Sequence, residues 1–437
     1  MRSLLKESVG DSVGRAFHLL PFFLPASRAT LSALRDSIIR RSFVWITGLS
    51  PLVTIAVWPV QSQVERNPRF EHLTAADGLP SSTVPCLIQD RTGYLWFGTF
   101  RGLARYDGYT ILSYRPRQGD STSITNAIIE ALCEDSEGNI WIGHARGLDK
   151  LDRATETFSH YVLNPQQPLT HWSNHVLAVH EDRNGVLWIG TGDGLCTFDR
   201  TTETFAWLRH DNTDPNSLGH NSVNGFCEGT DGSFWIATGG GLERFDRAIN
   251  KFVHYWHVPN NAYHNPPTLG HWVLSIFEDR EGILWLGTDG GVVEFNRQTE
   301  TFTQYRHDPA NPASLANNTV VSICEDRSGN LWISTKAGLD VLDRKTRRFS
   351  HHVHDSHDPA GLSSDAVGRI MLEQSGTLWI STDGSGVNKL VQNKSYLKHY
   401  RRVLPVPTNQ FASDLFWERH SEARFPEPKN PKSESNM

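Results

Sequence analysis

From residue 70 onward the apolar residues fall in short runs, each closed by Gly, Asp, Asn or Pro. No stretch after Gln63 sustains the 3.6-residue apolar period of a helix, so the pattern predicts short strands and turns. One run, residues 320–326 (VVSICED), ends in a D-x-x-G turn in which Gly can take positive φ. A second run carries a Trp, and a tight turn ending in Gly leads to a third, residues 338–344 (GLDVLDR). A polar turn then precedes a fourth run with paired aromatics, such as Phe158/Tyr161, Phe252/Tyr255 and Phe302/Tyr305. A Pro-, Asn- and Ser-rich segment, residues 307–318 for example, returns the chain to the start of the next cycle.

The cycle repeats. Trp stands at 96, 141, 188, 235, 285, 332 and 379, with gaps of 45, 47, 47, 50, 47 and 47. Gly precedes each by three positions, and six positions before it stands Asp90, Asp135, Asp182, Gly229, Asp279, Asp326 or Glu373. Four strands in such a period match a β-propeller blade. A four-stranded sheet apolar on both faces must stack, and radial stacking leaves only short, protected edges. Ten residues before each Trp stand Cys86, Ala131, Ala178, Gly225, Ser275, Ser322 and Arg369. Six of the seven are small, as strands crowding around a central axis require. The expected fold is therefore all-β, a seven-bladed β-propeller of four-stranded blades over residues 70–400, within a domain of residues 64–402.

Composition narrows the function classes. The 437 residues would suggest about three domains on length alone, but the repeats gather them into one ring. The net charge of −6 leaves no basic face for nucleic acid. Hydrophobic residues are 38% and charged ones 21%, which excludes a disordered chain as a whole. Five Cys cannot all pair. Cys133, Cys227 and Cys324 share one repeat position in different blades and read as small core residues, neither disulfides nor a metal cluster.

The two ends differ from the ring. Residues 42–64 are uncharged and follow Arg40-Arg41. The run 43–60 contains Gly48, Pro51 and Pro59, which suit a membrane helix poorly. The pattern fits a signal peptide cleaved near Ser62, or an N-terminal anchor, and residues 1–63 are assigned to it. Arg40-Arg41-Ser42-Phe43 also resembles a twin-arginine export signal. The 39 residues ahead of Arg40 are long for such a signal, which suggests a true start further downstream. Residues 403–437 are Pro-, Ser- and charge-rich, and a disordered tail or a truncated end of a longer gene is expected there.

The unit ED-x-x-G-x-LWIGT-x-x-GL-x-x-FDR, the linking HDP-x-NP-x-SL segment and the opening of residues 70–99 resemble the two-component regulator propeller family. In that family such propellers form the extracytoplasmic input region of sensor histidine kinases, often hybrid ones, and several are implicated in polysaccharide sensing. A second propeller, an Ig-like domain, a membrane helix and kinase modules usually follow. No kinase-like segment follows here: the chain after Arg402 offers no phospho-accepting His on a helix pair and no Gly-rich nucleotide lid. The resemblance implies a periplasmic or otherwise extracytoplasmic signal-input propeller. Its partners would be an oligosaccharide or other small extracellular ligand, and a second propeller or a kinase polypeptide. Contact with a membrane is expected only through the N-terminal segment. No cofactor and no metal is expected.

Residues present in every blade are scaffold, so polar residues that break the repeat are the site candidates. The turns between the second and third strands present Arg101, Arg146, Asp193, Asp289, Lys336 and Asp383. The loops entering the blades present His171-Trp172 and His271-Trp272. An exposed Trp beside polar donors offers a sugar an apolar face and hydrogen bonds at its rim. The alternative is that both Trp close the mouth of the ring by packing. Arg369 breaks the small-residue rule, and a buried Arg must find a carboxylate or face the channel and take an anion. The candidate ligand-binding set is Arg101, Arg146, His171, Trp172, His271, Trp272 and Arg369, and no catalytic residue is assigned. The H-D-x-x-D-P loops (His210/Asp211/Asp214, His354/Asp355/Asp358) recur among Pro and Asn, which favours Asx-turns over a metal site.

Three function classes stay open: a non-enzymatic sensory propeller, a propeller enzyme, and a protein-interaction platform. The enzyme class is suggested by the likeness of DR-x-G-x-LW to the Asp-box of sialidases and by the Trp repeats of streptogramin lyases. Glycoside hydrolysis needs a defined carboxylate pair, and no acidic pair stands outside the repeat pattern. The N-terminal pattern carries its own test. N-terminal sequencing of exported protein should find a start near Ser62 or an intact anchor in the membrane fraction, and soluble cytoplasmic protein beginning at Met1 would refute export.

Overall fold

The computed structural model describes residues 68–257 and 272–391, so the expectations for the export segment and the tail, and the position of His271, lie outside the described residues. The described chain is a seven-bladed β-propeller of four-stranded antiparallel blades. Among the described residues there are two 3-10 turns, at Ala75–Asp77 and Trp172–Asn174, and no helix long and apolar enough to cross a membrane. With the strands of a blade lettered a to d from the axis outward, blade 2 runs Ile129–Glu134, Ile140–His144, Gly147–Asp152 and Thr157–Tyr161.

Strand b explains the repeated motif. Each of the seven (Leu95–Thr99 in blade 1, Leu187–Thr191 in blade 3) is buried along its whole length. A strand buried on both faces takes a continuous apolar run rather than an alternating one, hence LWIGT. The Gly in that motif is needed for close approach: a Cβ on Gly143 would lie 2.4 Å from Val176 Cγ1 of the next blade. The Trp fill the space between blades, with Trp96, Trp141, Trp235 and Trp285 at most 2% exposed.

The Asp six positions upstream holds each Trp. Asp182 Oδ1 accepts the backbone N–H groups of Asn184 and Val186, closing the D-x-x-G turn, and Oδ2 accepts Trp188 Nε1–H at 2.9 Å. The same carboxylate meets Arg247 of the next blade, Nη2 to Oδ2 at 3.0 Å, and Arg247 also reaches Glu228 of its own strand a at 2.9 Å. Asp90–Arg153 (3.3 Å), Asp135–Arg200 (3.1 Å) and Asp279–Arg344 repeat the latch. Blade 4 has Gly229 in place of Asp. There Trp235 Nε1–H donates to Ser233 Oγ, Ser233 donates to Asp231, and Arg297 closes on Asp231 at 3.0 Å. In blade 7 Glu373 accepts Trp379 Nε1–H at 2.7 Å.

The ring closes with a strand from the other end of the chain. Blade 7 contains Val367–Leu372, Leu378–Thr382 and Val387–Leu390, and its outer strand is Phe70–Leu73, paired antiparallel to Val387–Leu390. The sequence unit and the structural blade are thus out of phase by one strand at the seam, which the Trp spacing does not reveal. Across this seam Gln374 N–H donates to Gln89 Oε1 at 2.8 Å.

The latch yields a graded prediction. Asp182 is fully buried, so Asp182→Ala, which strands Trp188 Nε1 and Arg247, should cost about 3 kcal/mol. Asp231, whose side chain is 57% exposed, should cost about 1 kcal/mol or less when changed to Ala. Urea unfolding of the two variants measures the difference, and equal losses would refute the latch.

Candidate functional site

The strands a surround the axis, and a bulge at their start decides what faces the channel. The pairing with strand b skips one residue between Ile129 and Ala131, Val176 and Ala178, Val223 and Gly225, Val273 and Ser275, and Val320 and Ser322. A bulge leaves its extra residue unpaired and re-aims it. The bulged positions, eleven before each Trp, are Glu130, Leu177, Asn224, Leu274 and Val321, with Pro85 and Gly368 at the matching places in blades 1 and 7. All seven line a mouth cavity of about 430 Å³, together with Val84, Phe100, Arg369, Thr382 and Asp383. Below it a second cavity of about 300 Å³ continues down the axis, lined by the small residues Cys86, Ala131, Ala178, Gly225, Ser275 and Ser322. Glu130, Leu177, Asn224 and Arg369 line both cavities, so they form the neck between mouth and shaft.

The polar neck residues each tie to an adjacent blade. Glu130 Oε2 meets His175 Nε2 at 2.7 Å. Asn224 donates to the Val273 carbonyl at 2.9 Å and accepts from Ser222 Oγ. Arg369 donates from Nη1 to the Val321 carbonyl at 3.3 Å. In blade 7 the pairing skips two residues, Gly368 and Arg369, and Arg369 N–H donates to Ser381 Oγ at 2.8 Å instead of to the ladder. Burial pushes the Arg369 guanidinium below its ordinary pKa. Burial also pushes the Cys86 thiol up to about 12, which leaves it un-ionised and unreactive at neutral pH.

Of the expected site residues, Arg369 lines the mouth. Arg101 and Arg146 are exposed on the turns between strands b and c and lie outside its lining. His171 caps the 3-10 turn Trp172–Asn174, with Nδ1 accepting Ser173 N–H at 3.2 Å and bonded to Ser173 Oγ at 2.8 Å. Trp172 is 61% exposed, stacked on His175 with centroids 5.1 Å apart. Trp272 is half-buried, edge-on to His220, and its backbone N–H donates to Asp289 Oδ1. Trp172 and Trp272 are not equivalent, although their dipeptides match. Trp172 opens a turn four residues before strand a of blade 3, whereas Trp272 directly precedes strand a of blade 5. Trp172 does connect to the mouth through His175, which is shared between the indole stack and Glu130.

Sequence reasoning missed the bulged ring. The signal was present: the position eleven before each Trp is the one in strand a whose residues follow no rule. In the H-D-x-x-D-P loops Asp211 accepts Thr213 N–H, Asp214 accepts Asn216 N–H and Asp355 accepts His357 N–H, which are Asx-turns. The five Cys are free thiols. Among the described residues no group of His, Cys, Asp and Glu is arranged to hold a metal.

Comparison with known proteins adds lineage. Residues 78–101, 122–146, 172–193, 269–290 and 314–337 match the model of the two-component regulator propeller family. Over 56 residues, 13% of this chain and 4% of the relative, the sequence is 46% identical to histidine kinase P4 of Formosa agariphila. The fold matches the extracellular domain assigned to a hybrid two-component system of B. thetaiotaomicron with a TM-score of 0.60 at 27% identity, covering 74% of this chain and 42% of that one. A streptogramin B lyase matches at a TM-score of 0.54 with 16% identity, over 74% of this chain and 96% of that one. That second likeness is one of fold alone. The chain thus spans less than half of the length of its sensor relatives.

Trp172 provides a test of exposure against packing. Trp172→Ala should change stability by about 1 kcal/mol or less, because most of the indole is already in solvent. A thermal melt showing a loss of about 3 kcal/mol would make it a packing residue.

Proposed function

We propose that this chain, whose repeats are those of the two-component regulator propeller family, is a non-enzymatic signal-input propeller. It works outside the cytoplasm and binds a small extracellular ligand, such as an oligosaccharide, at the mouth of its channel. The observation that carries this reading is the bulged ring. Seven strands of one repeat present six residue types at one position, Pro85, Glu130, Leu177, Asn224, Leu274, Val321 and Gly368, to one cavity, while the positions that build the blades recur. A scaffold needs no such variety, and a binding site does. The size of the cavity suits a small ligand, and its lining is mostly apolar with a few polar groups, as ligand pockets are. The likeness to an extracellular domain of a two-component system supports the sensory role and the extracytoplasmic location. Transmission would pass to a second propeller or to a kinase polypeptide, as in the longer relatives.

The mouth carries no chemistry of its own in this reading. Glu130 and Asp383 are its two carboxylates; Glu130 is engaged by His175, and Asp383 accepts the Thr83 hydroxyl at 3.1 Å. Ligands would be held and released unchanged.

The test is calorimetric titration of the full chain with a panel of neutral and acidic oligosaccharides and small organic acids. Binding by a panel member should fall at least about tenfold when Leu177→Trp and Leu274→Trp fill the mouth, with the melting temperature nearly kept. Binding that ignores the filled mouth, or no binding across the panel, would refute the reading. Release of cleaved products would move the protein to the enzyme class.

A further inference from the structure

We propose that Arg369 anchors an anion site at the neck of the channel, and that the ligand of the mouth is a small organic carboxylate with an apolar or ring-shaped body. This rests on the reading of the mouth as a ligand site and specifies the chemistry of its ligand. Four independent observations lead to it. First, the blade does not need a cation here: six other blades place Cys, Ala, Gly or Ser at the same position. Second, the backbone is altered to present it, because blade 7 skips two residues of pairing where blades 2 to 6 skip one. Third, among the described residues no carboxylate lies within 4.0 Å of the guanidinium, and its one hydrogen bond to protein is the Val321 carbonyl. A guanidinium has five N–H donors in a planar fork that matches a carboxylate two-on-two. Fourth, it faces a cavity, where an incoming anion can reach those donors.

The surroundings choose the rest of the ligand. Leu177, Leu274, Val321 and Phe100 give the mouth apolar walls, and Asn224 adds one amide. The nearby carboxylates do not compensate Arg369. Glu130 is bonded to His175 across two blades, and Asp383 lies exposed at the rim with Thr83. A desolvated cation with open donors is costly to keep unless an anion joins it. A carboxylate on an apolar or sugar-ring body meets both the fork and the walls. Two sources share that chemistry, a uronic acid and an aliphatic acid.

The experiment uses the full chain and its Arg369→Ser variant, which restores the residue that blades 5 and 6 carry there and so leaves the fold intact. Each is titrated calorimetrically with sodium glucuronate, sodium hexanoate and glucose, and each is melted with and without them. One of the two carboxylates should bind the natural protein and raise its melting temperature. Arg369→Ser should weaken that binding by about tenfold or more, without lowering the melting temperature of the free protein. Arg369→Lys should restore it only in part, since an ammonium lacks the fork. Preference for glucuronate assigns an acidic saccharide, and preference for hexanoate an aliphatic acid. Glucose binding as tightly as glucuronate, with Arg369→Ser unchanged, would overturn the anion site and leave the sensor reading standing. Carboxylate binding that survives Arg369→Ser would overturn it too, as would no binding of either acid. A failure of the sensor reading itself would show differently, as no response either to the wider panel or to these two acids.

Discussion

A buried carboxylate that answers three demands at once is the constraint on which the ring depends. Filling the gap between blades takes a large side chain, and Trp supplies it, but its indole N–H then lies in the core and needs an acceptor. The Asp six residues upstream supplies that acceptor with one oxygen and closes its own turn with the other. A naked carboxylate at that depth would be prohibitive, and the arginine of the next blade makes it tolerable. Burial alone would raise the Asp135 and Asp182 carboxyls, yet hydrogen bonds and arginine hold both below their ordinary pKa. Their contribution is present above the unfolded-state pKa and fades as pH falls through the lowered folded-state value. Because the acid belongs to one blade and the base to its neighbour, meeting the local demand joins the blades.

That arrangement frees the axis. Once Trp, Asp and Arg fix blade spacing at the periphery, strand a needs only small residues where it crowds its neighbours, and the bulged position above them is not held to one residue type by the repeat. Residue type varies there from blade to blade, which is what the proposed ligand site would use. On the proposed reading, fold and function are separated by a few residues along one strand. Val176 is fully buried, Leu177 lines the mouth, and Ala178 lines the shaft.

What the sequence disclosed followed from this separation. The seven Trp, their Gly and Asp companions and the small residues of strand a recur, so spacing alone gave the blades, their strands and the axis. Features that occur once were harder. Strand Phe70–Leu73 lacks the repeat signature because it supplies only an outer strand, and its partner lies more than three hundred positions away in sequence. The bulge breaks the period of two, so alternation from Ala131 or Ala178 predicts the wrong face for Glu130 and Leu177. His171-Trp172 and His271-Trp272 looked alike as dipeptides, but their different distances to strand a give their indoles different surroundings. Arg369 was legible because it violated a rule that six other residues obeyed.

The seam between blades 7 and 1 is joined differently from the other blade interfaces. Blade 1 has Gly108 where blades 2 to 6 have their latch arginine, and among the described residues no arginine pairs with Glu373. Closure there relies on the pairing of Phe70–Leu73 with Val387–Leu390 and on the Gln374–Gln89 hydrogen bond. The mouth cavity straddles this same seam, with Thr83, Val84 and Pro85 on one side and Gly368, Arg369, Thr382 and Asp383 on the other. A ligand held at Arg369 and against Val84 and Pro85, as proposed, would bridge the two sides of the seam. Anything that binds the closed form and not the open one stabilises closure by mass action. On the proposed reading, ligand binding and ring closure would be coupled by position, because the cavity lies where strands Phe70–Leu73 and Val387–Leu390 close the ring.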